Sequence, residues 1–176
     1  MLKKRGGQAN EQIRTVTDFE QLIGALVGSD VAFIVVGGLA ATVHGSARLT
    51  QDVDVVYARS DENIERMVTA LAPFEPYLRG APPGLPFDWS AATVRRGLNF
   101  TLVTTIGDVD VLGEIAGGGF YDALVEHTIV VDLFGHKCKC LDLPTLIVTK
   151  RAAGRPRDLE AIAELEALQE EKEDRG

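Results

Sequence analysis

The chain has 176 residues, 45% of them hydrophobic and 25% charged, which suits one compact domain with a real core and is short for two. A formal net charge of −8 excludes broad, non-specific nucleic-acid binding over the whole surface, while leaving room for a local basic site. No apolar run approaches the length of a membrane span, and the basic start MLKKRGGQANEQ lacks the apolar stretch of a secretion signal, so a cytoplasmic protein is expected.

The expected organisation is a single domain over 1–176, with residues 1–14 as an N-terminal arm and 170–176 as a flexible acidic tail. Thr17 and Glu20 have capping-box spacing, and Phe19, Leu22, Ile23, Leu26 and Val27 follow at helical spacing, which predicts an amphipathic helix closed near Gly28. The β-branched run VAFIVV, residues 31–36, reads as a buried strand ended by Gly37 and Gly38. A short helix over 39–44 follows, with His44 packing at its end. Residues 51–58 form a strand carrying Asp52 and Asp54, and Ser60 caps a helix to about residue 72. The next segment, APFEPYLRGAPPGLPFDW, holds five prolines and two glycines and reads as a loop, a lid or acceptor-side element.

A short helix from Ser90 precedes two strands, NFTLVTT and DVDVLGE, joined as a hairpin at Ile106-Gly107. Gly117 to Gly119 form a turn before a short helix over 120–126, and TIVVDLF and HKCKCLD pair around Gly135. Asp142 and Pro144 open a helix that ends near Gly154, and Pro156 starts a last one to about residue 170. His136, Cys138 and Cys140 alternate on a strand. Their outer pair is too widely spaced for one tetrahedral ion, so they read as ordinary strand residues.

Chemistry concentrates on the aspartates. Alternation places Asp52 and Asp54 on one strand face, while Val53 and Val55 point into the core. Paired carboxylates beside an apolar core raise each other's pKa or capture a divalent cation, and hard oxygen ligands suit Mg²⁺ or Mn²⁺. Gly37-Gly38, between a strand and a helix, lets the backbone approach a phosphate chain. Asp110 repeats the valine-flanked pattern and completes a triad if its strand neighbours the first, whereas Asp108 beside Gly107 reads as a solvated turn acid. Three carboxylates can hold two ions for in-line phosphoryl or nucleotidyl displacement.

Val36-Gly37-Gly38, thirteen intervening residues and Asp52-Val53-Asp54-Val55 resemble the signature of the DNA polymerase β-like nucleotidyltransferase superfamily. The segment LPTLIVTKRAAGRPRDLEAIAEL is similar to a motif of its AbiEii-type toxin branch of small bacterial enzymes, in which a helix lysine precedes a basic residue and an aspartate, here Lys150, Arg157 and Asp158. The resemblance implies an α/β (α+β) fold, a mixed, largely antiparallel sheet flanked by helices, with the carboxylates along one exposed edge. It further implies transfer of a nucleoside monophosphate from a nucleoside triphosphate to a hydroxyl of a protein, RNA or small molecule. A cognate antitoxin is an implied protein partner, although the chain lacks the extended C-terminal helical domain of the larger toxins. Asp52, Asp54 and Asp110 would be catalytic and bind Mg²⁺ or Mn²⁺. Gly37, Gly38, Arg48, Thr50, Lys150, Arg157 and Asp158 would line the nucleotide. Two alternatives stand beside this reading: a catalytically silent nucleotide-binding module of the same fold, and a phosphatase using the D-x-D-x-V pattern. In such phosphatases the motif ends an apolar strand; here that strand ends sixteen residues earlier.

Overall fold

A computed structural model describes residues 15–176, so the expected arm over 1–14 lies outside the described residues. The first helix, α1 (Phe19–Gly28), buries Leu22, Ile23 and Leu26. Its N-cap is Asp18 and not Thr17: the Asp18 carboxylate accepts from the Gln21 backbone N–H and from the Gln21 side chain, each at 2.9 Å. Thr17 is drawn off to tie two strands together instead. Its hydroxyl donates to the Gln51 carbonyl at 2.5 Å and accepts from the Asp108 N–H at 3.1 Å.

Strand β1 (Phe33–Val36) is buried throughout and runs straight into helix α2 (Gly37–Val43). Strand β2 (Asp52–Tyr57) follows, then α3 (Asp61–Leu71), capped by the Ser60 hydroxyl as expected. The Pro-rich segment is more ordered than its composition suggests. It holds a 3₁₀ turn (Ala72–Phe74) and a two-residue strand, β3 (Tyr77–Leu78), whose register against Val103 and Leu102 only the neighbouring strand supplies. Helix α4 (Ala91–Arg96) leads to the hairpin β4 (Asn99–Thr104) and β5 (Gly107–Leu112). A small ladder, β6 (Glu114–Ile115) and β7 (Gly119–Phe120), brackets the glycine turn before α5 (Tyr121–Leu124). The hairpin β8 (Thr128–Leu133) and β9 (His136–Leu141) precedes α6 (Leu143–Ala153) and α7 (Pro156–Asp174), which runs past residue 170 into the expected tail. None of the helices among the described residues is long and apolar enough to cross a membrane.

Seven strands form one mixed sheet in the order β3-β4-β5-β2-β1-β9-β8. β1 pairs antiparallel with β2 and parallel with β9, and β2 pairs parallel with β5. Helices flank both faces: α1 packs on α3, and α2 lies with α6 and α7. The alternation in DVDVVY splits β2 accordingly. Val53 and Val55 are buried, while Asp52 and Asp54 turn to the face shared with α2 and α6. The carboxylates therefore lie on the two inner strands β2 and β5 and not along an edge strand. Burial on the opposite face is what demands an inner position. In β9, Cys138 and Cys140 are buried free thiols, and burial pushes Cys140 up to about 12.

Candidate active site

The register of β2 against β5 sets the site. Asp52 pairs with Asp108 and Asp54 with Asp110, so four carboxylates meet on one sheet face. One ligand oxygen each from Asp52, Asp54 and Asp110 lies within 4.8 Å of the others, close enough for a single divalent ion to touch all three. Asp108 departs from its expected role as a solvated turn acid. It sits inside β5 with a side chain 15% exposed, and its Oδ2 is 3.4 Å from Nε of Arg79.

Glycines bring the backbone to these acids. Gly37 has φ +63, and a Cβ there would overlap the Asp54 carboxylate. A Cβ on Gly38 would come within 2.5 Å of the Thr50 hydroxyl. The Gly38 N–H donates to Asp54 and favours its ionised form, but this is outweighed. Burial first, then the charges of Asp52 and Asp110 and a hydrogen bond with Asp110, push Asp54 up to about 8. Burial also raises Asp110, against the pull of Arg79. A carboxyl group this reluctant to ionise gives up its proton more easily when a cation binds beside it, and the all-oxygen donor set matches Mg²⁺ or Mn²⁺.

The acids floor a cleft of about 1030 Å³, walled by α2, the loop before β2, α6 and the start of α7. Lys150 enters from α6. Burial lowers its pKa, while Asp158 and Asp54 hold it up. Among the described residues neither Lys150 nor Arg157 forms an ion pair, and both line the cleft. Asp158 is 4% exposed, and its Oδ2 accepts from the Arg155 backbone N–H at 3.3 Å and from Arg155 Nε at 2.8 Å. It caps α7 and fixes Arg155 at the rim. Arg48 also lines the cleft, but its guanidinium is engaged by Glu164 at 3.2 Å and Glu160 at 3.5 Å, both on α7. The Thr50 hydroxyl donates to the Asp52 carbonyl at 3.2 Å and ties the loop to the start of β2. His44, at the end of α2, is buried, and its Nε2–H donates to the Leu141 carbonyl at 2.7 Å.

Sequence reasoning missed Arg79. Its Nη2 donates to Asp110 Oδ1 at 2.7 Å and to the Leu102 carbonyl at 3.0 Å, and its Nη1 donates to Asp52 Oδ2 at 3.4 Å. The signal was faint: one arginine in a Pro-rich segment, placed only by the pairing of β3 with β4.

Among solved structures, the fold is similar to that of the lincosamide antibiotic adenylyltransferase LnuA with lincomycin bound. That match has a TM-score of 0.57 and 11% identity, covering 88% of this chain and 99% of that one. Further similar structures are a candidate nucleotidyltransferase from Thermotoga maritima (TM-score 0.47, 15% identity, 88% and 89% covered) and an antigenic nucleotidyltransferase-like protein from Paracoccidioides brasiliensis (0.49, 13%, 86% and 77%). No family model matches the chain, and no curated protein matches it. The chain thus has a nucleotidyltransferase fold: a mixed sheet flanked by helices, with a carboxylate triad positioned to hold a metal ion.

Proposed function

We propose that the protein is a metal-dependent nucleotidyltransferase that moves a nucleoside monophosphate from a nucleoside triphosphate to a hydroxyl of a small molecule. The observation that carries this reading is the convergence, in one cleft, of Asp52, Asp54 and Asp110 with the Gly37-Gly38 backbone and the cations Lys150 and Arg157. Mg²⁺ or Mn²⁺, held by the three carboxylates, would supply positive charge against the triphosphate and acidify the attacking hydroxyl. The Gly37-Gly38 turn admits the phosphate chain to the backbone, and Lys150 and Arg157 neutralise it. Asp110 takes the proton from the acceptor hydroxyl as its oxygen bonds the α-phosphorus and pyrophosphate leaves.

A small-molecule acceptor is favoured among those left open by the sequence, because this chain and the lincosamide adenylyltransferase align over nearly the whole of the latter. The phosphatase alternative is disfavoured by position. Asp52 opens strand β2, whereas a nucleophilic aspartate of that pattern sits where a buried strand ends. The test is transfer of label from each α-labelled nucleoside triphosphate, with Mg²⁺ or Mn²⁺, to panels of hydroxylated small molecules, RNA and protein. Asp54→Ala serves as the control. Label moving in the wild type and not in the variant supports the reading; triphosphate binding with no transfer to any acceptor leaves the silent module in its place.

A further inference from the structure

Arg79, directly after β3 at the sheet edge, reaches the carboxylates that floor the cleft. Its fork is divided among three acids instead of pairing with one. The contact to Asp110 at 2.7 Å is a tight charge-assisted bond, whereas those to Asp52 and Asp108 stretch to 3.4 Å. Nε is buried, 3.4 Å from Asp108 Oδ2, and lacks an aligned hydrogen-bond acceptor among the described residues, so one of the guanidinium's donors is left unsatisfied. Two of those partners, Asp52 and Asp110, also belong to the triad that would hold the divalent ion; Asp108 does not. A guanidinium and a metal ion therefore compete for the negative charge of the same two carboxylates.

We infer that Arg79 is a built-in competitor for the metal site. It holds Asp52 and Asp110 together in the ion-free protein and releases both to the incoming cation. Asp108, across the ladder from Asp52 and outside the triad, keeps the displaced arginine close. The inference rests on the metal site of the proposed function but goes beyond it, because it makes metal affinity a quantity set by a residue that binds no metal. It also explains why four acids can share one sheet face before any ion arrives: the arginine screens three of them, leaving Asp54 as the acid it does not contact.

The experiment is titration of the full chain with Mn²⁺ alone, followed by calorimetry, for wild type, Arg79→Gln and Arg79→Lys. Arg79→Gln is expected to bind Mn²⁺ on the order of tenfold more tightly. In chelator it should melt below wild type, and its melting temperature should rise further on adding Mn²⁺. Arg79→Lys, which keeps the charge but loses the fork, should fall between the two and serves if Arg79→Gln folds poorly. Equal or weaker Mn²⁺ binding in both variants overturns the inference while leaving the metal site intact. Failure of all three proteins to bind Mn²⁺ overturns the metal site and the inference together.

Discussion

Replacing Asp54 with asparagine should stabilise the metal-free protein at alkaline pH. Asp54 is an acid inside the cleft that Arg79 does not reach, and burial beside Asp52 and Asp110 lifts its pKa from 3.8 to about 8. The sign follows from proton counts: between about pH 4 and 8 the native state holds a proton on Asp54 that the unfolded chain has lost. Folding stability therefore falls as pH rises through that window, by up to ~1.4 kcal/mol per pH unit. The full displacement corresponds to roughly 6 kcal/mol at most. Asparagine is close in shape, removes the charge and keeps an acceptor for the Gly38 N–H, though without charge assistance. A net gain of about 2–4 kcal/mol at pH 8 is expected after that loss. Urea denaturation in chelator at pH 5, 6.5 and 8 measures it. The wild-type deficit should grow with pH and shrink when Mn²⁺ is added, because only the wild type gains a full set of ligands. A variant less stable than wild type at pH 8 in chelator, or a difference that stays flat from pH 5 to 8, would refute the reasoning.

Gly37→Ala should cost about 2 kcal/mol in urea denaturation and abolish label transfer, since its Cβ falls on the Asp54 carboxylate at a backbone φ of +63. Lys150→Ala should keep its melting temperature within a few degrees while raising the KM for the triphosphate roughly ten- to hundredfold, measured by initial rates. His44 offers a pH test at the far end of α2. Burial lowers its pKa, and its Nδ1 accepts from Lys172 Nζ at 3.3 Å, a bond lost on protonation. Because the unfolded chain takes up this proton more readily, stability should fall as pH drops below about 6.5, by about 1 kcal/mol at pH 5.5. Denaturation of His44→Gln over the same range should lack that component.

Most elements were legible because local rules and tertiary demands agree in this chain. The valine–aspartate alternation in β2 and β5 showed which side chains shared a face, and Gly135 and Gly107 marked their hairpins. Ser60 and Asp142 capped the helices they preceded. What escaped depended on partners distant in sequence. Thr17 had capping-box spacing, yet its hydroxyl found a better use 34 residues away at Gln51. Asp108 looked like a turn acid because it adjoins Gly107, and only the parallel pairing with β2 turned it toward Arg79. Arg79 itself lies in a segment whose composition says loop, and no local pattern announces a two-residue edge strand.

The matched D-V-D-V runs on β2 and β5 carry a hazard of their own. Sliding one strand by a single residue would put aspartates into the core, which burial forbids. A slide of two residues would not: Val55 would meet Val109, Asp54 would face Asp108, and the triad would be pulled apart with the aspartates still on their own face. The Thr17 hydroxyl, bridging the Gln51 carbonyl to the Asp108 N–H, pins the two strand starts against that slip. Gly107 reinforces the pin, since a Cβ there would strike Thr17. A threonine at the doorway of the first helix thereby acts as the index mark of the ladder, and proofreading of strand alignment is separated from the acids that benefit from it.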